Sequence, residues 1–115
     1  MHTPLIIAIR YGHIDAFMLL IERGANPNIR DKDGNTPLHW ASASNRMRMM
    51  RVLIDMGVDI NDNKNKRNAT PYQYASHYKS TNAQYLLIEK GADWLPKPKL
   101  IVSTRGPIGP KSYGA

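Results

Sequence analysis

The chain contains no cysteine, which excludes a disulfide scaffold, a thiolate zinc site and a cysteine nucleophile. It also lacks a long apolar run. The stretch from Ala16 to Ile21 falls far short of the ~20 residues a membrane helix needs, so no membrane insertion is expected. The opening, Met1 to Arg10, has no basic start, and Arg10 interrupts its apolar residues, so it does not read as a secretory signal. An intracellular protein, cytoplasmic by default, is the expectation. Aromatic residues make up only 8% of the chain, with one phenylalanine. Acidic residues are scarce too, 9 against 16 Lys and Arg, leaving a net charge of +7. That excess suggests an acidic partner, whether an acidic protein surface, nucleic acid or anionic lipid, and does not choose among them. The length of 115 residues suits one small domain or a short array of repeated units.

What the chain does have is internal repetition. Thr3-Pro4-Leu5, Thr36-Pro37-Leu38 and Thr70-Pro71-Tyr72 recur at spacings of 33 and 34 residues, and Gly24, Gly57 and Gly91 recur at the same two spacings. The extra residue falls in the connector between Gly57 and Thr70, where an insertion spares the repeated core. Each unit reads as two helices and a turn. Threonine caps a helix start because its hydroxyl accepts from an orphan amide of the first turn. Proline fits the next position, where its missing N–H costs nothing. The first helix is short, as in Pro37 to about Ala43, and is broken by Gly12, Asn45 or Lys79, of which lysine is the least suited to a left-handed turn. The second helix is expected over 14–23, 47–56 and 81–90, with Phe17, Leu20 and Ile21 at helical spacing. Gly24, Gly57 and Gly91 then supply the left-handed residue that ends it.

These residues resemble a known family. The run from Asp31 through Gly34, Asn35, Thr36-Pro37-Leu38-His39 to Ser42 is similar to the opening of an ankyrin repeat, and Leu53 to Asn61 is similar to its close. Tyr11-Gly12-His13-Ile14-Asp15 resembles the turn between its helices. The resemblance covers residues 3 to about 95. It implies an all-α ankyrin-repeat solenoid of about three helix-turn-helix units, near 3–35, 36–69 and 70–95, within a repeat domain over 1–95. The chain departs from the pattern in four places. Unit one has no hairpin before its Thr-Pro, and unit three has Tyr72-Gln73 in place of Leu-His and Thr81 where an aliphatic residue is usual. The second connector has Asn65 and Asn68 where the first has Asp31 and Gly34. Asparagine can both cap and take a positive φ, so the turn is expected to survive.

Residues 96–115 form a Pro/Gly-rich basic tail. From Trp94 onward there are four prolines, three glycines, Lys97, Lys99, Arg105 and Lys111, and no acid, so this end carries +4 of the +7. It is expected to be an extended end, either solvated or docked as a strap on a partner, with Leu100-Ile101-Val102 as a β-prone contact.

No residue set points to catalysis, a cofactor or a metal. The histidines at 2, 13, 39 and 77 lack metal-ligand spacing. Asp31 to Asn35 fails the calcium-loop pattern, because Gly34 at the sixth position would put Ile29 at the first. The chain has neither a phosphate loop nor a nucleophile elbow. The resemblance instead implies a non-catalytic protein-protein interaction module, such as a small subunit or adaptor of a larger assembly, with His39 tying neighbouring units together. Binding would use connector tips and first helices. The tip candidates are Lys32, Asp33, Asn35, Lys66, Arg67 and Ala69, and the first-helix candidates Arg10, Tyr11, Ala43, Ser44, His77 and Tyr78. Lys97, Lys99 and Arg105 would add charge from the tail. Tyr11 and Tyr78 are the expected anchors. The expected partner is a protein, acidic or mixed in charge. Nucleic acid bound by the basic connector and tail is the alternative, and self-association is a further expectation, because apolar Ile6, Ile7 and Ile9 sit in the first helix. Arg46, Arg48 and Arg51 in the second helix of unit two, and Lys64, Lys66 and Arg67 in the second connector, read first as a solvated face, although Arg46 and Arg48 sit near a helix start, where positive charge costs about 0.3–1 kcal/mol and weakly suggests a purpose beyond stability. Met49, or an exposed neighbour, is a possible partner contact.

Overall fold

The computed structural model describes residues 4–93, which form six helices and, among the described residues, no strand. The helices are α1 Pro4–Tyr11, α2 Ile14–Glu22, α3 Pro37–Ala43, α4 Met47–Asp55, α5 Pro71–His77 and α6 Thr81–Glu89. They pair as α1/α2, α3/α4 and α5/α6, and the first helices α1, α3 and α5 pack in series.

The helix starts follow from the Thr-Pro pairs. Thr36 Oγ1 accepts the His39 amide, Pro37 takes the first helical position, and the His39 ring reaches back to the Thr36 amide. In unit three, Gln73 does the work of that imidazole. Its Oε1 accepts the Thr70 amide at 2.9 Å while Thr70 Oγ1 accepts the Gln73 amide at 3.2 Å. The departure from Leu-His therefore keeps the reciprocal cap. Thr3, the corresponding cap of α1, lies outside the described residues.

The second helix of each unit stops one residue earlier than the sequence pattern suggests. Arg23, Met56 and Lys90 are the C-caps, followed by glycines at φ between 87° and 96°. The turns between paired helices need a positive φ as well, which Gly12 meets at 73°, Asn45 at 59° and Lys79 at 59°. For lysine that conformation costs roughly 1–2 kcal/mol, because Cβ crowds the following carbonyl. Asn65 and Asn68 rebuild the hairpin as expected. Asn65 Oδ1 accepts the amides of Arg67 and Ala69, as Asp31 Oδ1 accepts those of Asp33 and Asn35, and Asn68 takes a φ of 52° where Gly34 has 83°.

The core runs continuously through the units. Phe17, Leu38, Met50, Leu53 and Leu87 have no exposed surface. Met49 is also buried, at 3%, so it is a packing residue and presents nothing to a partner.

Polar ties cross each junction. His39 Nε2 donates to the Ala69 carbonyl at 2.8 Å, reaching from unit two to unit three as the family resemblance implied. Ser80 Oγ donates to the Ala43 carbonyl at 2.7 Å, and Asn45 Oδ1 caps the Ala83 amide of α6 at 2.9 Å. The Arg30 guanidinium pairs with the Asp62 carboxylate between successive hairpins. Arg46, whose charge looked costly at the start of α4, turns back onto unit one. Its Nε and Nη2 donate to the carbonyls of Ile9 and Arg10 at 3.0 and 3.1 Å. A cation at the C-terminal carbonyls of α1 is favourable on both hydrogen-bonding and dipole grounds. The purpose of that charge is therefore stability after all. Its guanidinium crosses Gly12, where a Cβ would meet Arg46 Cζ at 2.9 Å.

Candidate functional site

The first helices and the hairpin tips enclose a groove. Trp40 on α3 stands at the same repeat position as Ile7 on α1 and Tyr74 on α5. The Trp40 indole donates to Asp31 Oδ2 at 2.8 Å, which fixes the ring against its own hairpin. Burial pushes the Asp31 carboxyl up, but that indole together with the Asn35 and Asp33 amides outweighs it and holds the group below the usual carboxylate range. Arg10 of unit one lays its guanidinium over Trp40 at 4.7 Å from the ring centroid. Trp40 meets Tyr74 edge-on at 6.3 Å, Tyr74 lies 6.3 Å from Tyr78, and Tyr78 meets His77 at 4.8 Å. The result is a row of rings and one cation running across all three units.

Beneath this row is a buried polar network. Asn35 Oδ1 accepts both the Tyr74 hydroxyl at 2.8 Å and the Asn65 amide side chain at 2.9 Å. Burial raises the Tyr74 phenol, which keeps it a proton donor across the working pH range. His39 is fully buried, and burial pushes its pKa below the ordinary 6.5. Its Nδ1 accepts from the Thr36 amide and its Nε2–H donates to Ala69, an arrangement that only the neutral ring can hold.

Above the row, Trp40, Tyr74, Tyr78, Asp33, Lys66 and Arg67 line a cavity of about 210 Å³, with Asn35 at its floor. Lys66 and Asp33 neutralise each other across the tips at 3.4 Å, and the Lys66 amide donates to the Asp33 carbonyl at 2.9 Å. The exposed Arg67 guanidinium has no hydrogen bond or ion pair among the described residues. The cavity is therefore an aromatic pocket with one uncommitted positive charge on its rim. It offers stacking or apolar contact plus bidentate recognition of a carboxylate.

The sequence-based candidates sort accordingly. Asp33, Lys66, Arg67 and Tyr78 meet at this cavity. Asn35 meets it only from below, being 3% exposed, because its side chain is the hub of the buried network. Arg10 and His77 extend the row at its two ends. Tyr11 is 66% exposed and faces His13 rather than the row. Lys32 is exposed, while Ala43, Ser44 and Ala69 are half-buried, with the carbonyls of Ala43 and Ala69 serving the inter-unit ties. Lys97, Lys99 and Arg105 lie outside the described residues. Sequence reasoning missed Trp40 and Tyr74. Aligning the units would have shown large residues, Ile7, Trp40 and Tyr74, at one position of all three first helices. Among the described residues no cluster of three or more His, Asp or Glu could hold a metal, and no helix is long and apolar enough to cross a membrane.

Comparison with known proteins agrees with this architecture. The family described as ankyrin repeats in three copies matches residues 5–97. The chain is similar to the palmitoyltransferase Hip14 of Drosophila melanogaster, 33% identical over 89 residues that make up 77% of this chain and 14% of that protein. It is similar to the palmitoyltransferase akr1 of Neurospora crassa, 34% identical over 80% of this chain and 13% of that protein. It is also similar to the putative ankyrin repeat protein FPV233 of Fowlpox virus, 43% identical over 56% of this chain and 13% of that protein. The chain thus spans about one seventh of the length of these relatives. With three matched copies over most of its length and three helix pairs joined by hairpins, the chain belongs to the ankyrin repeat family.

Proposed function

We propose that the chain is a non-catalytic adaptor or small subunit that binds a protein partner in the groove between its hairpin tips and first helices. Ankyrin repeats are in general protein-protein interaction modules, and the similarity to palmitoyltransferases falls in the repeat region. The observation that carries the proposal is the 210 Å³ aromatic cavity with the uncommitted Arg67 at its rim. Trp, Tyr and Arg are the side chains that dominate binding hot spots. Two basic residues and one acidic residue line this cavity, so the favoured occupant carries a carboxylate beside an apolar or aromatic group. The tail, with Lys97, Lys99 and Arg105, adds a positive strap that speeds encounter with an acidic surface.

The test is affinity purification from the native cell with mass spectrometry, using the full chain, the chain lacking residues 96–115, and an Arg67→Glu variant. The proposal expects one stoichiometric protein that survives moderate salt, is reduced about tenfold or more without the tail, and is lost with Arg67→Glu. Recovery of nucleic acid with a steep salt dependence would favour the alternative reading instead.

A further inference from the structure

The groove cavity has the size of one side chain. At 210 Å³ it falls below the roughly 300–1,000 Å³ of sites for free organic ligands. Trp40, Tyr74 and Tyr78 wall it, and Asn35 closes its floor. An apolar or aromatic side chain is the natural filling, and the rest of its chain must then run over the rim.

The charges near that rim are unequally committed. Asp31 accepts from the Trp40 indole and from two amides of its own hairpin. Asp33 pairs with Lys66. Two guanidiniums remain without a hydrogen bond or ion pair among the described residues. One is Arg67, at the tip. The other is Arg10, which lies over Trp40 at 4.7 Å and through that contact keeps its in-plane N–H donors available.

The two cations are peculiar to their units. The repeat position of Arg10 holds Ala43 in unit two and His77 in unit three, and that of Arg67 holds Asp33 in the preceding hairpin. They also stand apart. Arg67 is part of the cavity wall, whereas Arg10 meets Trp40 from the side of unit one and is not. Trp40 therefore separates them, and Tyr74 lies a further 6.3 Å along the row.

Resting on the groove reading above, we infer that the occupant is an extended peptide segment of the partner, with an apolar or aromatic side chain in the cavity and a carboxylate two residues to either side, one on Arg10 and one on Arg67. In an extended chain residues i, i+2 and i+4 face the same way, and the outer two are about 13 Å apart. That span straddles the Trp40 ring and suits cations carried by units whose helices pack about 8–10 Å apart. A helical segment does not fit, because its same-face carboxylates at i and i+4 stand only about 5–6 Å apart. Two guanidiniums select carboxylates, which they can hold through paired N–H donors. Single-stranded nucleic acid needs open ring faces for successive bases. Here Tyr74 is 7% exposed and meets Trp40 edge-on, and one face of Trp40 is already covered by Arg10.

The probe is a short labelled synthetic peptide of serine and glycine with the central run glutamate, serine, phenylalanine, serine, glutamate. It is titrated into the 115-residue chain by fluorescence anisotropy, and the contact is mapped by amide chemical shifts. The inference expects shifts on α3, α5 and the tips, and about tenfold or more weaker binding when both glutamates become glutamine. Glycine in place of phenylalanine should remove the shifts at the cavity. Arg10→Gln and Arg67→Gln should each weaken the glutamate peptide about threefold or more and leave the glutamine peptide unchanged. Arg10→Lys should keep the preference for glutamate, Arg51→Gln on α4 should change nothing, and circular dichroism checks that the repeats are intact. If only Arg67→Gln matters, the second carboxylate is wrong and the groove reading stands. If the peptide does not bind while the captured partner is still lost with Arg67→Glu, the inference falls and the groove reading again stands. If neither responds to Arg67, both fall. A single-stranded oligothymidylate binding more tightly than the peptide would also overturn the inference.

Discussion

Replacing His39 separates its two roles, because the chain carries its own control. In unit two the ring closes the cap on Thr36 and also donates to Ala69 of unit three. In unit three Gln73 closes the corresponding cap. His39→Gln should therefore keep the cap and lose the tie across the junction. The lost hydrogen bond is worth about 0.5–1.5 kcal/mol. Imperfect packing against Tyr74, whose ring lies 5.2 Å away, adds to the loss and brings it to roughly 1–2 kcal/mol. His39→Ala also opens a cavity at a fully buried site and strands the Thr36 amide, so about 3–5 kcal/mol is expected. The pH dependence is the sharper readout. The folded pKa lies below the ordinary 6.5, so as pH falls the unfolded chain takes up the proton first and stability declines. The loss begins near the unfolded value and continues down to the folded one, at up to about 1.4 kcal/mol per pH unit. Urea unfolding followed by circular dichroism between about pH 7.5 and pH 5 should show this slope in the natural chain and a flatter line in His39→Gln. His13 and His77 remain in both proteins. An equal slope in the variant would refute the assignment of the titration to His39.

Three further outcomes follow from the same structure. Lys79→Gly should raise the urea midpoint by relieving the left-handed strain, a gain of about 0.5–1 kcal/mol after the flexibility of glycine is counted. Arg46→Met should lower stability by roughly 1–3 kcal/mol, because the carbonyls of Ile9 and Arg10 lose their charged donor, and calorimetry would read this as a lower Tm. Asp62 is held below its ordinary 3.8, since burial raises its pKa but the Arg30 side chain outweighs that. Its contribution is present above the unfolded value and is lost as pH falls through the folded one. Acid titration of Asp62→Asn should therefore show a shallower limb below about pH 4.

The parts of the fold that were legible in the sequence are those written in local chemistry. Thr36-Pro37 and Thr70-Pro71 announce helix starts, the glycines announce helix ends, and Asn65 with Asn68 replaces Asp31 with Gly34 by equivalent hydrogen bonds and backbone. The misreadings involve partners some 30 residues or more away. Arg46 looked like an awkward charge because the carbonyls it serves belong to the preceding unit. Asn35 looked like a tip residue because Tyr74 and Asn65, which bury it, come from the following one. Trp40 passed unnoticed because its role depends on Arg10 and Tyr74, one unit to either side. In a stacked array each unit supplies its own helices, whereas the binding surface is assembled across junctions.

The most direct test of the central claim is a calorimetric titration of the captured partner into the full chain and into variants on the two sides of the array. Tyr78 and Arg67 belong to the proposed groove, whereas Arg51 is exposed on α4 outside it. The account predicts that Tyr78→Ala and Arg67→Glu each weaken binding by about 2 kcal/mol or more, while Arg51→Glu leaves it within about 0.5 kcal/mol of the natural chain. Undiminished binding in both groove variants, or a large loss with Arg51→Glu, would contradict it.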